Sequence, residues 1–117
     1  MDDEITRLIH NDQQYIILEM PLHLFRDNVE DIVTTLTPEI QNGKFLVIDA
    51  AQCPYPSTEA IEVMLRMLKQ FVAKKKGFRL PIANGNESWR KVFRIINITT
   101  LFQFYDSIAE AKAHYAE

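Results

Sequence analysis

Apolar positions along this chain recur at two spacings, and the places where one gives way to the other outline the elements. Ile5 to Ile9 is a short mixed run. Tyr15-Ile16-Ile17-Leu18 is rich in β-forming side chains, and Asn11-Asp12 between the two runs carries turn chemistry. Together they predict an antiparallel hairpin. Val29, Ile32, Val33, Leu36 and Ile40 then fall at helical intervals, and Asp27 with Glu30 has the spacing of an N-terminal capping box. Pro38 interrupts that stripe and predicts a bend or an early stop, and Asn42-Gly43 closes the element. Phe45-Leu46-Val47-Ile48 is a continuous apolar run of strand length, as in a strand covered on both faces.

Pro54-Tyr55-Pro56 forces an extended loop, because each proline fixes its own φ and keeps its predecessor out of the helical region. A helix is expected from Ser57-Thr58, with Ile61, Met64, Leu65, Leu68, Phe71 and Val72 as its buried stripe and Gly77 at its end. Residues Phe78 to Ala83 read as a strand, placed by Pro81 at an edge or a bulge. A short helix carrying Trp89, Val92, Phe93 and Ile96 follows, then a brief strand over 101–104. Ser107 and Glu110 start a last helix whose apolar side is Ile108, Ala111 and Tyr115. The order β-β-α-β-α-β-α-(β)-α implies an α/β fold: a mixed, mostly parallel sheet of four or five strands with an antiparallel edge strand. About four helices lie mainly on one face.

Composition narrows the class of function more than it identifies it. The 117 residues suit one domain, expected to span 1–117, and no repeat, low-complexity stretch or Gly/Ser linker divides them. The formal net charge of -3 argues against a nucleic-acid binder, which needs a clustered positive surface. The one basic run, Lys74-Lys75-Lys76, reads as the cationic end of a helix. Cys53 is the only cysteine, so no intrachain disulfide forms. Met1-Asp2-Asp3-Glu4 is the opposite of a secretory n-region, and no apolar run approaches the ~20 residues that cross a bilayer. A cytoplasmic protein with no direct membrane insertion is expected.

No catalytic constellation emerges. His10, His23 and His114 lie far apart with no ligand partner at metal spacing, and His23 and His114 read as ordinary surface residues. Cys53 lacks a basic neighbour and reads as a small hydrophobe, not a nucleophile. Asn84-Gly85-Asn86 matches neither the dinucleotide nor the P-loop pattern and reads as a turn capping the next helix. No cofactor and no metal are implied. The exception is Ser57-Thr58, a hydroxyl pair at a helix start on the C-terminal edge of the sheet, where open α/β folds make their contacts. Helix capping is the simpler use of that pair.

The stretch Phe45-Leu46-Val47-Ile48-Asp49 through Pro54-Tyr55-Pro56-Ser57-Thr58-Glu59-Ala60-Ile61 resembles the central signature of STAS domains, the anti-anti-sigma factor (anti-sigma factor antagonist) family. There an apolar strand ends in Asp, and eight residues on, as from Asp49 to Ser57, an Asp-Ser or Asp-Thr pair opens a helix. The segment from Trp89 through Leu101-Phe102 to Asp106-Ser107 resembles that family's C-terminal part, and the similarity runs from about Tyr15 to the end. The resemblance implies a STAS fold without enzymatic activity that docks onto a protein partner. It places Thr58 on the hydroxyl that switch kinases phosphorylate, with Ser57 as second choice. The implied partner surface is Asp49, Pro54, Tyr55, Pro56, Ser57, Thr58, Glu59 and Glu62. Ser57 stands where the family carries aspartate, Glu59 and Ala60 where it carries serine and glycine, and Asn97 where glycine is common. Two functions follow as expectations. One is a phospho-regulated antagonist of an anti-sigma switch kinase, a bacterial regulator of transcription. The other is a constitutive STAS subunit of a lipid-transport ABC complex or a stress-signalling scaffold. A homodimer is left open by either.

Overall fold

The computed structural model describes residues 3–116; positions 1, 2 and 117, the outermost of the expected 1–117 domain, lie outside the described residues. Helix α1 (Asp3–Leu8) leads into strands β1 (Ile9–Asp12) and β2 (Tyr15–Glu19). Helix α2 (Arg26–Gln41), strand β3 (Phe45–Asp49), helix α3 (Thr58–Val72) and strand β4 (Leu80–Ala83) follow. Helix α4 (Glu87–Ile95), a 3-10 turn at Thr99–Leu101, strand β5 (Phe102–Tyr105) and helix α5 (Ile108–Ala113) complete the order. The five strands form one sheet in the order β1-β2-β3-β4-β5. The β1–β2 pair is antiparallel and the other three are parallel, which is the mixed α/β sheet expected from the sequence.

Strand alternation sorts the core into two layers. Ile16 and Leu18, Leu46 and Ile48, and Leu80 and Ile82 face the larger layer with α2, α3 and α4. Ile17, Val47 and Ala83 face the other way, onto Ala111 of α5. Helices are therefore mainly on one face, and α5 lies over β3, β4 and β5 on the second. Beyond α5, half-buried Tyr115 donates its hydroxyl to the Leu46 carbonyl at 2.5 Å.

Several local expectations need correcting. The segment from Ile5 folds as helix α1 rather than as a hairpin strand, because Ile5 and Leu8 bury at helical spacing; the hairpin turns at Gln13, which adopts a φ of 56°. Helix α2 is capped from Phe25 rather than Asp27: Asn28 accepts from the Phe25 N–H at 3.3 Å while its own N–H reaches the Phe25 carbonyl at 2.9 Å. The helix also runs through Pro38. Its exposed ring faces solvent, while Leu36 and Ile40 stay buried on either side and the Asn42 N–H returns to the Pro38 carbonyl. Pro81 sits in an interior strand, where the ladder to β5 starts at Leu80 but the ladder to β3 only at Ile82. Helix α3 stops at Val72, so Lys74, Lys75 and Lys76 follow the helix, and Lys74 Nζ donates to the Ile40 carbonyl in the last turn of α2.

Gly85 has a spatial reason to be glycine. A Cβ there would stand 2.7 Å from Cε1 of Phe104, under any normal contact, whereas a Cβ at Gly43 meets nothing within 4 Å but a backbone at φ +97°. We expect Gly85→Ala to lower unfolding free energy by about 1–3 kcal/mol through overpacking. Gly43→Ala should lose about 1 kcal/mol through backbone strain. Urea titrations of both variants against the parent check the pair, and an unchanged midpoint for Gly85→Ala counts against the close approach.

Candidate functional site

The C-terminal edge of the sheet is stitched together one strand at a time. The Met20 N–H bonds the Asp49 carbonyl, the Ala50 N–H bonds the Ala83 carbonyl, and the Asn84 N–H bonds the Tyr105 carbonyl, each at 2.9 Å. These bonds carry the parallel ladder past the strand ends and fix where each connecting loop departs. The loop from Ala50 to Ser57 is the longest without secondary structure on this edge, and side chains from β3 and from the β4–α4 turn hold it.

Asp49 does so from within. Its carboxylate, only 8% exposed, accepts from the Ala51 N–H at 3.1 Å and from Asn84 Nδ2 at 3.0 Å. Asn84 takes a φ of 63°, a left-handed conformation that asparagine tolerates, and this aims its amide back at Asp49. Asn86 caps α4 by accepting from the Trp89 N–H at 3.0 Å, as the turn reading anticipated, and its Nδ2 donates to the Pro54 carbonyl at 2.9 Å. Trp89, fully buried, donates its indole N–H to the Cys53 carbonyl at 2.6 Å.

What this clasp presents is the start of α3. Ser57 is the N-cap, its Oγ accepting from the Ala60 N–H at 3.1 Å, so its half-buried hydroxyl is already committed. Thr58, one residue on, is exposed in the first turn. Pro54 and Tyr55 are exposed, Tyr55 at 64%, but Pro56 is buried under the helix start and is not part of the surface. Glu59 and Glu62 are half-buried and face Arg26 of α2, at 3.5 Å and 2.6 Å. Arg66 extends the ion-pair row to Glu30 at 2.6 Å and Glu62 at 3.7 Å. The Arg66 guanidinium, through hydrogen bond and charge, holds the Glu30 carboxyl below the usual carboxylate range. Of the expected surface, then, Thr58, Glu59 and Glu62 share the start of α3, Pro54 and Tyr55 are exposed in the loop before it, Ser57 serves as the cap, and Asp49 and Pro56 are buried.

The buried stripe of α3 is rotated from the expected one. Ala60, Val63, Met64, Met67, Leu68 and Phe71 face the core. Ile61 and Leu65 are only half-buried and Val72 is 38% exposed, so these three run outward from Thr58 along a shallow groove of about 530 Å³. Leu22 and Phe25, before α2, add exposed apolar surface elsewhere. Arg26 and this outward stripe were missed from sequence. Arg26 lies 36 residues from Glu62 with no local signal. The stripe was masked because α3 is apolar on more than one side.

No acid–base or nucleophilic machinery surrounds Thr58. Burial, the larger effect, pushes the Cys53 thiol up, so it is held as the neutral form. Among the described residues no group of three His, Cys, Asp or Glu side chains is placed to hold a metal ion. His23 is exposed as expected, but His114 is not an ordinary surface residue. It is half-buried between the Tyr105 hydroxyl at 2.6 Å and the Arg79 carbonyl at 2.8 Å. No helix among the described residues is long and apolar enough to cross a membrane.

Comparison with known proteins agrees with this architecture. The sequence model of the STAS domain matches residues 4–111. Among solved structures, a candidate anti-sigma factor antagonist from Thermotoga maritima is similar at 19% identity and a TM-score of 0.74, covering 93% of each chain. The anti-sigma factor antagonist SpoIIAA in its unphosphorylated form is similar at 14% identity and a TM-score of 0.73, covering 92% of this chain and 94% of that one. An anti-sigma-factor antagonist (STAS) domain protein from Planctomyces limnophilus is similar at 18% identity and a TM-score of 0.69, covering 92% and 93%. At these identities the likeness is one of fold. No curated protein is significantly similar to the sequence.

Two measurements probe the clasp. Trp89→Phe leaves the buried Cys53 carbonyl without its donor and should cost about 1–3 kcal/mol. It should also speed amide exchange over 50–57, and exchange as slow as in the parent would show that the indole bond does not hold the loop. The raised thiol predicts a pH dependence of known sign. Below the unfolded-state value of about 8.5 both states keep the proton, and above it the unfolded chain ionises first. Stability should therefore fall as pH climbs past about 8.5, and Cys53→Ala should flatten that part of the curve in urea midpoints taken between pH 7 and 9.5.

Proposed function

The chain belongs to the STAS domain family, and we propose that it is a cytoplasmic, non-catalytic docking module whose partner face is the start of α3 with the loop before it. The partner is an anti-sigma factor of the switch-kinase type, and phosphorylation of Thr58 releases it. One observation carries this reading: Thr58 offers an exposed hydroxyl at the head of an outward apolar stripe, while Ser57 beside it is consumed as the helix cap.

The electrostatics support a switch at that position. In the unmodified form Glu59 and Glu62 are offset by Arg26 and Arg66, so a partner meets a nearly neutral rim around an apolar groove. A phosphate adds roughly -1.5 to -2 charge at neutral pH. Next to Glu59 and Glu62, that charge opposes burial of Ile61 and Leu65 against any partner. Tyr55, rigidly carried between two prolines, suits an anchoring role at the same surface. The similarity in fold to anti-sigma factor antagonists, one of them described in its unphosphorylated form, points the same way.

A second reading is favoured by a specific observation. Ser57 stands where the family carries the aspartate before the phospho-acceptor, which removes a feature of switch-kinase recognition, and Glu59 beside Thr58 repels an added phosphate, partly offsetting the favourable helix N-terminus. On that reading the same face holds a constitutive partner, as in a transport complex or a signalling scaffold, and Thr58 never carries phosphate.

Affinity capture of the tagged protein from its own cell lysate, read by mass spectrometry, separates the two. The switch reading expects an ATP-binding kinase and phosphate on the peptide containing Thr58. It also expects Thr58→Glu to weaken capture at least tenfold while Thr58→Ala binds like the parent and loses release by ATP. Capture of a transporter or scaffold, insensitive to Thr58→Glu and with the peptide always unmodified, overturns the switch.

A further inference from the structure

At the opposite end of the sheet the chain leaves a cavity of about 480 Å³. It lies where β3 and β4 begin and where α2 and α3 end, and the last residues of the chain close it. The size is that of ordinary small-molecule sites. The proposed partner face makes no use of it.

Its wall is aromatic. Phe45 stacks on Tyr115 with ring centroids 4.6 Å apart, Phe71 stacks on Phe78 at 5.0 Å, and Phe78 lies 5.7 Å from Tyr115. Four rings, from β3, α3, the α3–β4 connection and the segment after α5, thus share one apolar surface, and none belongs to the groove on α3. Burial keeps the Tyr115 phenol protonated, so the wall itself stays uncharged.

Its charged lining is cationic. Lys44, Lys74, Lys75 and Arg79 all line the cavity, and no carboxylate does among the described residues. That is a local reversal in a chain of net charge -3. Lys44 and Lys74 donate to the neutral carbonyls of Gln13 and Ile40, and neither has a carboxylate partner among the described residues. Lys75 has no hydrogen-bond or ion-pair partner among the described residues. Arg79 donates to Gln103 and Thr99, yet its Nε is buried with no acceptor. Its guanidinium is thereby held toward Gln103 and Thr99, outside the lining, so the cations an anion in the cavity would meet are the three lysines.

We propose that this cavity is a binding site for a small amphipathic anion, an apolar body against Phe45, Phe78 and Tyr115 with a carboxylate or phosphate head at the rim of Lys44, Lys74 and Lys75. The site is independent of the docking function, since it shares no residue with the surface around Thr58. Neutral molecules of the same body bind less well, because they leave the cationic rim uncompensated while still requiring its desolvation.

The test uses 1-anilinonaphthalene-8-sulfonate, an aromatic body with one anionic group, as the reporter, with decanoate, decyl phosphate and decanol as competitors on the folded full-length chain. Decanoate or decyl phosphate is expected to displace the dye at least tenfold more effectively than decanol, and the better of the two identifies the head group. Lys75→Glu should weaken binding at least fivefold, whereas Lys76→Glu, the same charge change outside the lining, should not. Backbone amide shifts on adding the competitor should centre on Gly43, Gly77 and Phe78. Displacement by decanol as effective as by the anions, equal effects of the two lysine variants, or shifts centred on Thr58 would each overturn the proposal.

Discussion

The hydrogen bond from the Trp89 indole to the Cys53 carbonyl, and the neighbouring bonds from Asn84 and Asn86, decide what the C-terminal edge of this sheet can present. A parallel strand delivers its chain to the sheet edge and then has no intrinsic reason to point anywhere. Here the β3–α3 loop is held from below by the β3 carboxylate and from the side by the β4–α4 turn, which is itself fixed by the cap of α4. Helix α3 therefore begins at one place and at one angle. Core packing of Met64, Met67 and Phe71 then fixes its rotation, and the outward stripe is what that rotation leaves over.

Much of the architecture was legible before the structure. Continuous apolar strands, serine caps before α3 and α5, and the alternation of strand and helix signals each rest on a local rule, and each appears where expected. The misreadings share a cause: two rules competed and tertiary burial chose. The run from Ile5 to Ile9 satisfies both a short strand and one helical turn, and the need to bury Ile5 and Leu8 together selects the helix. Pro38 breaks a helix only if its neighbours can leave, and Leu36 and Ile40 cannot. On α3 nearly every turn carries an apolar residue on two sides, so periodicity alone could not say which side meets the sheet.

The candidate site was legible in part for the same reason. The Ser57 cap and the exposure of Thr58 follow from short-range pattern, and the fastening of the loop does not. Asp49 meets Asn84 across 35 residues, Trp89 meets Cys53 across 36, and Arg26 meets Glu62 across 36. Such pairings are products of strand order and crossover geometry. The aromatic cavity at the far end is the extreme case, since its lining comes from α2, β3, α3, the loops between strands and helices and the segment after α5, and no stretch of sequence announces it. Helix α3 spans the distance between the two regions. Its 15 residues place Thr58 roughly 20 Å from the ring of Phe71, at 1.5 Å per residue.

The outer strand has its own bearing on how copies of this chain can meet. β1 is four residues long, its His10 and Asn11 are exposed and polar, and it leaves directly from a helix. Lys112 of α5 pins Asp12 at the hairpin tip by an ion pair. So brief and polar a margin gives an incoming strand little backbone to register against and no apolar side chains to bury. On this side the sheet is closed to growth by strand addition. Self-association by strand addition would have to use the other edge, β5, and otherwise proceed through helical surfaces.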